Sequence, residues 1–396
     1  MRSLKKFIIF LMGTALIAAG CVNAPEQSTQ GGNQARSSGG KVRIGFSMDT
    51  LKEERWQRDR EMVEARAHEL GVEVTILVAN GSDSLQQSQA ENLLTQGVNV
   101  LIVAPHNGEA AASIVEAAHR QNVPVISYDR LIRNSDVDLY VSHQVVKIGQ
   151  MQAQYLLDHV KQLPNVPRPA NFVLVQGSPT DNNAKLLHDG QMQVLQPAVN
   201  SGDIRIVVDQ PAREWKAEEA LNITENALTQ TGNNVQAIVA SNDGTAGGAI
   251  RALEGQNLTG KVLVSGQDAE LAACQRIVEG KQTMTVYKPI KPLATAAVDA
   301  AVKLAHGERV DTHDTVDNGR KAIPSILIEP ISVDRENMAS TVISDGYHKL
   351  EEVYTNVPRN QWPKAPAPQG NTNSMNRREE EYTELFALIC NLTPSF

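Results

Sequence analysis

Eight short runs of mostly β-branched, near-continuously apolar residues recur along the chain. They are VRIGFSM (42–48), VEVTILVA (72–79), VNVLIVA (98–104), VPVISY (123–128), NFVLVQG (171–177), IRIVVD (204–209), VQAIVAS (235–241) and KVLVSG (261–266). Unbroken apolar character marks strands covered on both faces by helices. Helical patterns lie between the runs, among them REMVEARAHEL before Gly71, where a helix C-terminal cap belongs. Strands separated by helices form parallel sheets through right-handed crossovers. Four units precede residue 130 and four more lie between 171 and 270. The expected fold is therefore α/β, two doubly wound parallel-sheet lobes with a ligand cleft between them.

The ends of the chain read differently. MRSLKKFIIFLMGTALIAAGC has a positive start, an apolar core from Phe7 to Ile17 and small residues before Cys21. This is a signal peptide over 1–20, too short for a comfortable membrane span. A cysteine directly after small residues resembles the lipobox of bacterial lipoproteins, which implies acylation of Cys21 and a membrane anchor. Residues 21–40 are polar and rich in Gly, Ser and Gln, as a flexible tether is. Removing residues 1–20 moves the formal net charge from −8 to −11, which argues against nucleic acid as a partner. Three cysteines make no disulfide framework, so stability must come from a large core.

In open parallel sheets, ligands gather at the carboxyl ends of the strands. The residues found there are Asp49, Lys52, Arg55 and Trp56 after the first run, and Asp129-Arg130 after the fourth. Asp181, Asn182 and Asn183 follow the fifth, Trp215 the sixth, Asn242-Asp243 the seventh and Asp268 the eighth, and a last turn, TMTVYKP, offers Lys288. Such a set suits a neutral sugar, whose hydroxyls both donate and accept and whose C–H faces pack on indole rings. Each residue also has a plainer reading. Asp49, Asp181 and Asp243 can be helix caps, Trp215 can be core, and Lys288 can be a solvated loop residue. DGTAGGAI (243–250) lacks both phosphate-loop spacings, and its small residues suit close helix–sheet packing. There is no HExxH, CxxC or GxSxG pattern and no trusted histidine spacing, so neither a metal nor a cofactor nor catalysis is expected.

The stretches ERWQRDR, APHNGE, SYDRLI, GSPTDNNAKLLHDGQM, ASNDGTAGGAI, SGQDAEL and QTMTVYKPI, in this order, resemble the D-xylose-binding family of bacterial ABC importers, within periplasmic binding proteins of the ribose/galactose type. The resemblance covers roughly residues 41–350. It implies a type I periplasmic binding protein fold with a three-crossover hinge, D-xylose as ligand, a membrane permease as partner and a monomeric, extracytoplasmic protein. The implied sugar contacts are Arg55, Trp56, Asp129, Arg130, Asn183, Trp215, Asn242, Asp268 and Lys288, with Trp56 and Trp215 sandwiching the ring. Asn182 is a weaker candidate, and Asp49 and Lys52 are rim candidates. The crossings are expected near 142–146, 288–290 and 322–326, giving lobe one as 41–143 with 290–323 and lobe two as 144–289 with 324–350. Two departures stand out. His143-Gln144 occupies a hinge position where the family carries an Asp-Asn pair, and 351–396 is a tail without an assigned role.

Three rival functions fit parts of the same sequence. A glycosidase could pair Asp129 with Asp268, but Arg130 beside Asp129 favours an ionised acceptor. A sugar-responsive repressor would need a DNA-binding element where the signal peptide stands. A sensory subunit signalling to a membrane kinase or chemoreceptor fits the same residues.

Overall fold

The computed structural model describes residues 41–363. The signal peptide, Cys21, the tether and residues 364–396 lie outside the described residues. The first half runs β1 (Arg43–Met48), α1 (Glu54–Glu69), β2 (Glu73–Val78), α2 (Asp83–Thr95), β3 (Val100–Ala104), α3 (Ala112–His119), β4 (Val125–Tyr128) and β5 (Leu139–His143). Gly71, with φ +68°, ends the turn after α1 in a left-handed conformation that suits glycine. Ser82 caps α2 by accepting from the Leu85 amide.

The chain then continues through α4 (Val145–Val160), β6 (Ala170–Gln176), α5 (Asn182–Asn200), β7 (Ile204–Pro211), α6 (Ala217–Thr231), β8 (Ala237–Ala240), α7 (Asp243–Gly255), β9 (Leu263–Val264) and α8 (Leu271–Val278). It closes with β10 (Thr285–Tyr287), α9 (Ile290–Ala305), β11 (Asp314–Asp317), β12 (Ala322–Ile328), β13 (Ile331–Val333) and α10 (Leu350–Val353).

Two sheets dominate, as expected. The first has the order β11-β12-β5-β4-β3-β1-β2 and the second β7-β6-β8-β9. Both are parallel except for β11, which runs antiparallel to β12. Apolar side chains cover both faces of each sheet. Val63, Ile102, Leu293 and Val298 pack on one face of the first, and Leu93, Leu101 and Ile114 on the other. Leu156, Phe172 and Leu195 lie on one face of the second, and Ala227, Ile238 and Leu253 on the other. In both sheets the first strand of the lobe has its chain neighbours on opposite sides, so a switch point opens at the carboxyl edge.

Three details differ from the sequence reading. The turn TMTVYKP contains a strand, β10, paired with β13. The third crossing falls at 329–330 rather than 322–326, because β12 pairs with β5 in the first sheet as far as Ile328. By sheet membership, residues 324–328 therefore sit with lobe one. Residues 351–363, placed in the tail, pack onto the second lobe. Val353, Tyr354 and Val357 are buried against Ile277, Val278 and Val342, and the Trp362 indole donates to the Val357 carbonyl at 2.7 Å.

The small residues of α7 also work differently from expectation. A Cβ on Gly248 would come within 2.0 Å of the Ala217 carbonyl oxygen, so the close approach is to the start of α6, helix on helix. Gly149 of α4 and Gly190 of α5 form a similar crossing, where added Cβ atoms would meet the Leu187 and Val146 carbonyl oxygens at 2.1 and 2.0 Å. That contact fixes where the N-terminus of α5 points.

Candidate functional site

The carboxyl ends of the two sheets face one small, polar-lined cavity. From the first lobe come Arg55 and Trp56 on α1 and Asp129-Arg130 after β4. From the second come Asn183 on α5, Trp215 after β7, Asn242 before α7 and Asp268 after β9, while Lys288 lies on the second crossing. The structure thus brings these strand-end residues together. Asp49 and Lys52 instead line an adjoining outer chamber, which shares Glu53, Arg130 and Trp215 with the inner one. Asn182 lines neither, and its side-chain oxygen accepts from Arg133 at 3.0 Å.

Asp129 is the hub. Its Oδ2 accepts from Arg55 at 2.7 Å and lies 3.5 Å from the Lys288 ammonium. Its carbonyl oxygen accepts from Tyr140 (2.8 Å), Ser142 (2.6 Å) and Asn183 (3.1 Å). Burial alone would raise its pKa, but Arg55, Lys288 and His143 outweigh that and hold the carboxyl well below the usual range. It is therefore held as an ionised acceptor.

Arg55 is locked on its other side by Asp59, which accepts from Nε and NH2 at 3.0 and 2.9 Å. Tyr128 donates to the second oxygen of Asp59. Asp268 lies 3.1 Å from Lys288 and 3.8 Å from Arg55. Arg130 bridges the lobes, reaching Asp49 at 2.6 Å and Asp181 at 2.9 Å. Behind Asp49, His106 Nδ1 lies at 2.9 Å, and this bond raises the His106 pKa.

The capping alternatives resolve individually. Asp49 caps nothing, since Glu53 holds the N-cap position of α1. Asp181 does both jobs, with Oδ1 capping α5 through the Asn183 amide and Oδ2 paired to Arg130. Asn242 caps α7 in a capping box with Thr245 that occupies its side-chain oxygen, and the residue also lines the cavity. Asp243 lies one residue inside α7 and accepts from Gln282 and Thr285 below the site.

Both tryptophans are core and cavity wall at once. Trp56 is 3% exposed, joins the first lobe's core cluster, and has the Arg55 and Arg130 guanidinium carbons 4.4 and 5.1 Å from its ring centre. Trp215 packs with Val145, Ile148 and Met284 and lies flat over Gly177, where a Cβ would meet its ring at 2.0 Å. Its buried Nε1 has no acceptor among the described residues.

Three cavity residues sit in left-handed backbone: Asp129 (φ +57°), Trp215 (φ +55°) and Asp268 (φ +99°). Non-glycine residues are held there only when the surroundings over-determine them, a feature that concentrates at binding sites. Direct contacts between the lobes surround the cavity. Lys52 Nζ donates to the Glu214 carbonyl at 2.6 Å, the Gly108 amide to Thr180 at 3.1 Å, and the Leu271 amide to Glu54 at 2.9 Å. The cleft is closed.

Sequence reasoning missed Glu53 and Gln267 as lining residues and Asp59, His106 and Tyr140 as supports. Asp59 had a legible signal, standing four residues after Arg55 on one helix face. Gln267 and Glu53 had only adjacency to chosen residues. His143 is buried and ties the first crossing to the second by donating to the Pro289 carbonyl at 3.2 Å, with Nδ1 3.9 Å from Asp129.

The periplasmic binding protein domain family matches residues 44–309. The chain belongs to the periplasmic binding proteins. Among relatives of this family, a D-xylose-binding periplasmic protein of Haemophilus influenzae is 49% identical over 313 residues, 79% of this chain and 92% of the relative. One of the same description from Escherichia coli is 47% identical, over 79% of this chain and 93% of the relative. Among solved periplasmic binding proteins, a carbohydrate transporter solute-binding protein from Chloroflexus aurantiacus in complex with D-glucose superimposes with a TM-score of 0.73 at 33% identity, covering 79% of this chain and 98% of that one. Among the described residues no helix is long and apolar enough to cross a membrane.

Proposed function

We propose that this periplasmic binding protein captures D-xylose in the interlobe cavity, presents it to the permease of an ABC importer as a monomer, and catalyses nothing. The observation that carries the reading is the paired charge set of the cavity. Asp129 and Asp268 supply acceptors, Arg55, Arg130 and Lys288 supply donors, and two indoles supply flat faces. Hydroxyls that donate and accept at once can enter such a set without leaving a charge unmatched. The two xylose-binding relatives support the choice of pentose. In thermal melts, D-xylose at a hundredfold excess over Kd should stabilise the protein by about 2.7 kcal/mol. A shift with ribose, galactose or an amino acid but none with xylose would overturn the assignment.

Cys21 is the proposed anchor point, because an apolar core and the small residues Ala18-Ala19-Gly20 precede it. Expressed from its full-length gene, the protein should fractionate with membranes, and Cys21→Ala should move it to the soluble fraction. Equal partitioning of both forms would remove the anchor from the account.

A further inference from the structure

Behind the turn that presents Asp268 lies His348, whose imidazole is fully buried. Its two ring nitrogens meet partners that can each play a single role. Nε2 stands 2.8 Å from the Ala269 carbonyl oxygen, which only accepts, so Nε2 carries a hydrogen. Nδ1 stands 3.2 Å from a guanidinium nitrogen of Arg58, which only donates, so Nδ1 offers its lone pair. The neutral Nε2–H tautomer satisfies both, whereas a protonated ring would turn a hydrogen toward a cation. The partners belong to opposite sides of the cleft. Arg58 is on α1, one turn after Arg55, and Ala269 (φ +52°) directly follows Asp268 in its strained turn.

We propose that His348 is a positioning residue of the sugar site. As the neutral tautomer it ties the Asp268–Ala269 turn to α1 in the closed cleft, and the ring must shed any proton for the cleft to close. This rests on the reading of the cleft as a xylose site. The charged and titratable groups facing the ring are Arg58 and Glu54 from α1, Glu352 from α10 and the neighbouring Tyr347 ring, 4.6 Å away between centres. Glu54, 3.8 Å from Nδ1, favours the protonated ring, but it is already shared between Arg58 at 2.8 Å and the Leu271 amide at 2.9 Å. Burial foremost, with Arg58, pulls the His348 pKa below its ordinary value against the Ala269 carbonyl and the two glutamates.

In the open cleft Arg58 withdraws, and the ring titrates nearer its ordinary value of about 6.5. Closure therefore releases a proton in acid. Affinity is fully present above the open-form pKa and falls as pH drops through it, by at most about tenfold per unit.

The test is titration calorimetry with D-xylose at pH 5.0, 6.0 and 7.5, in buffers of low and high ionisation heat. The parent protein should bind roughly tenfold more weakly at pH 5.0 than at 7.5 and release a fraction of a proton at pH 6.0. His348→Gln keeps a donor for Ala269 but cannot titrate. Its affinity at pH 7.5 should lie between those of the parent and His348→Ala, without the pH slope. Should these variants fold poorly, Arg58→Gln replaces the cation with an amide that can also accept, and should make the profile shallower than the parent's without abolishing it. A parent whose Kd does not change with pH, or variants that keep the parent's slope, would overturn the proposal. No binding of xylose at any pH would bring down the pentose reading and this proposal with it, whereas tight binding at pH 7.5 with a flat profile sinks the proposal alone.

Discussion

Asp129 shows what a single residue does in this cleft. Its left-handed backbone is held by three donors on its own carbonyl, which aims the carboxylate between Arg55 and Lys288. The strand-end position of Asp129 was legible in the sequence; the donors that hold it, Tyr140 and Ser142, come from the neighbouring strand and were not. The tryptophans teach a similar lesson. For Trp215 the sequence leaves stacking face and core packing as alternatives, yet Trp56 and Trp215 each belong to a core cluster and also line the cavity. Trp56→Ala and Trp215→Ala should therefore cost both stability, about 3–5 kcal/mol, and affinity, roughly 30- to 1000-fold in Kd. Urea denaturation and titration calorimetry on the same samples would show both losses. Unchanged xylose affinity in either folded variant would contradict the sandwich.

Among elements, the long apolar strands and their order were legible because burial on both faces writes an unbroken apolar run. The short pieces were not. β10 and β13 are three residues each and pair antiparallel across distant sequence. β12 carries Pro324, which reads as a break. The structure tolerates it because Pro324 lies opposite Thr315 of the edge strand β11, while pairing with β5 begins at Ser325. Residues 351–363 read only as the start of a tail without an assigned role, yet the sparse anchors Val353, Tyr354 and Val357 suffice to dock them. Helix crossings depend on glycines whose role periodicity cannot show. Gly190→Val should force α4 and α5 apart and destabilise the protein by about 1–3 kcal/mol or more, read from the urea midpoint. A midpoint equal to the parent's would mean that the helices do not meet as closely as the Val146 carbonyl contact requires.

For the whole molecule, closure is a balance. In the closed cleft Arg55, Arg130 and Lys288 are buried together with Asp59, Asp129, Asp181 and Asp268. Removing paired charges from water costs several kcal/mol per ion before their attraction and hydrogen bonds offset it. A ligand whose hydroxyls add hydrogen bonds to that set, and whose ring covers indole, shifts the balance toward the closed form by its differential affinity. Titration calorimetry with D-xylose on the parent and on Asp129→Asn tests this most directly. The account predicts one saturable site per chain in the parent. In the variant, which deprives Arg55 and Lys288 of their shared anion, binding should be weaker by about 2–5 kcal/mol, at least roughly 30-fold in Kd. Parent protein that gives no saturable heat with xylose, or a variant that binds it as tightly as the parent, would contradict the account.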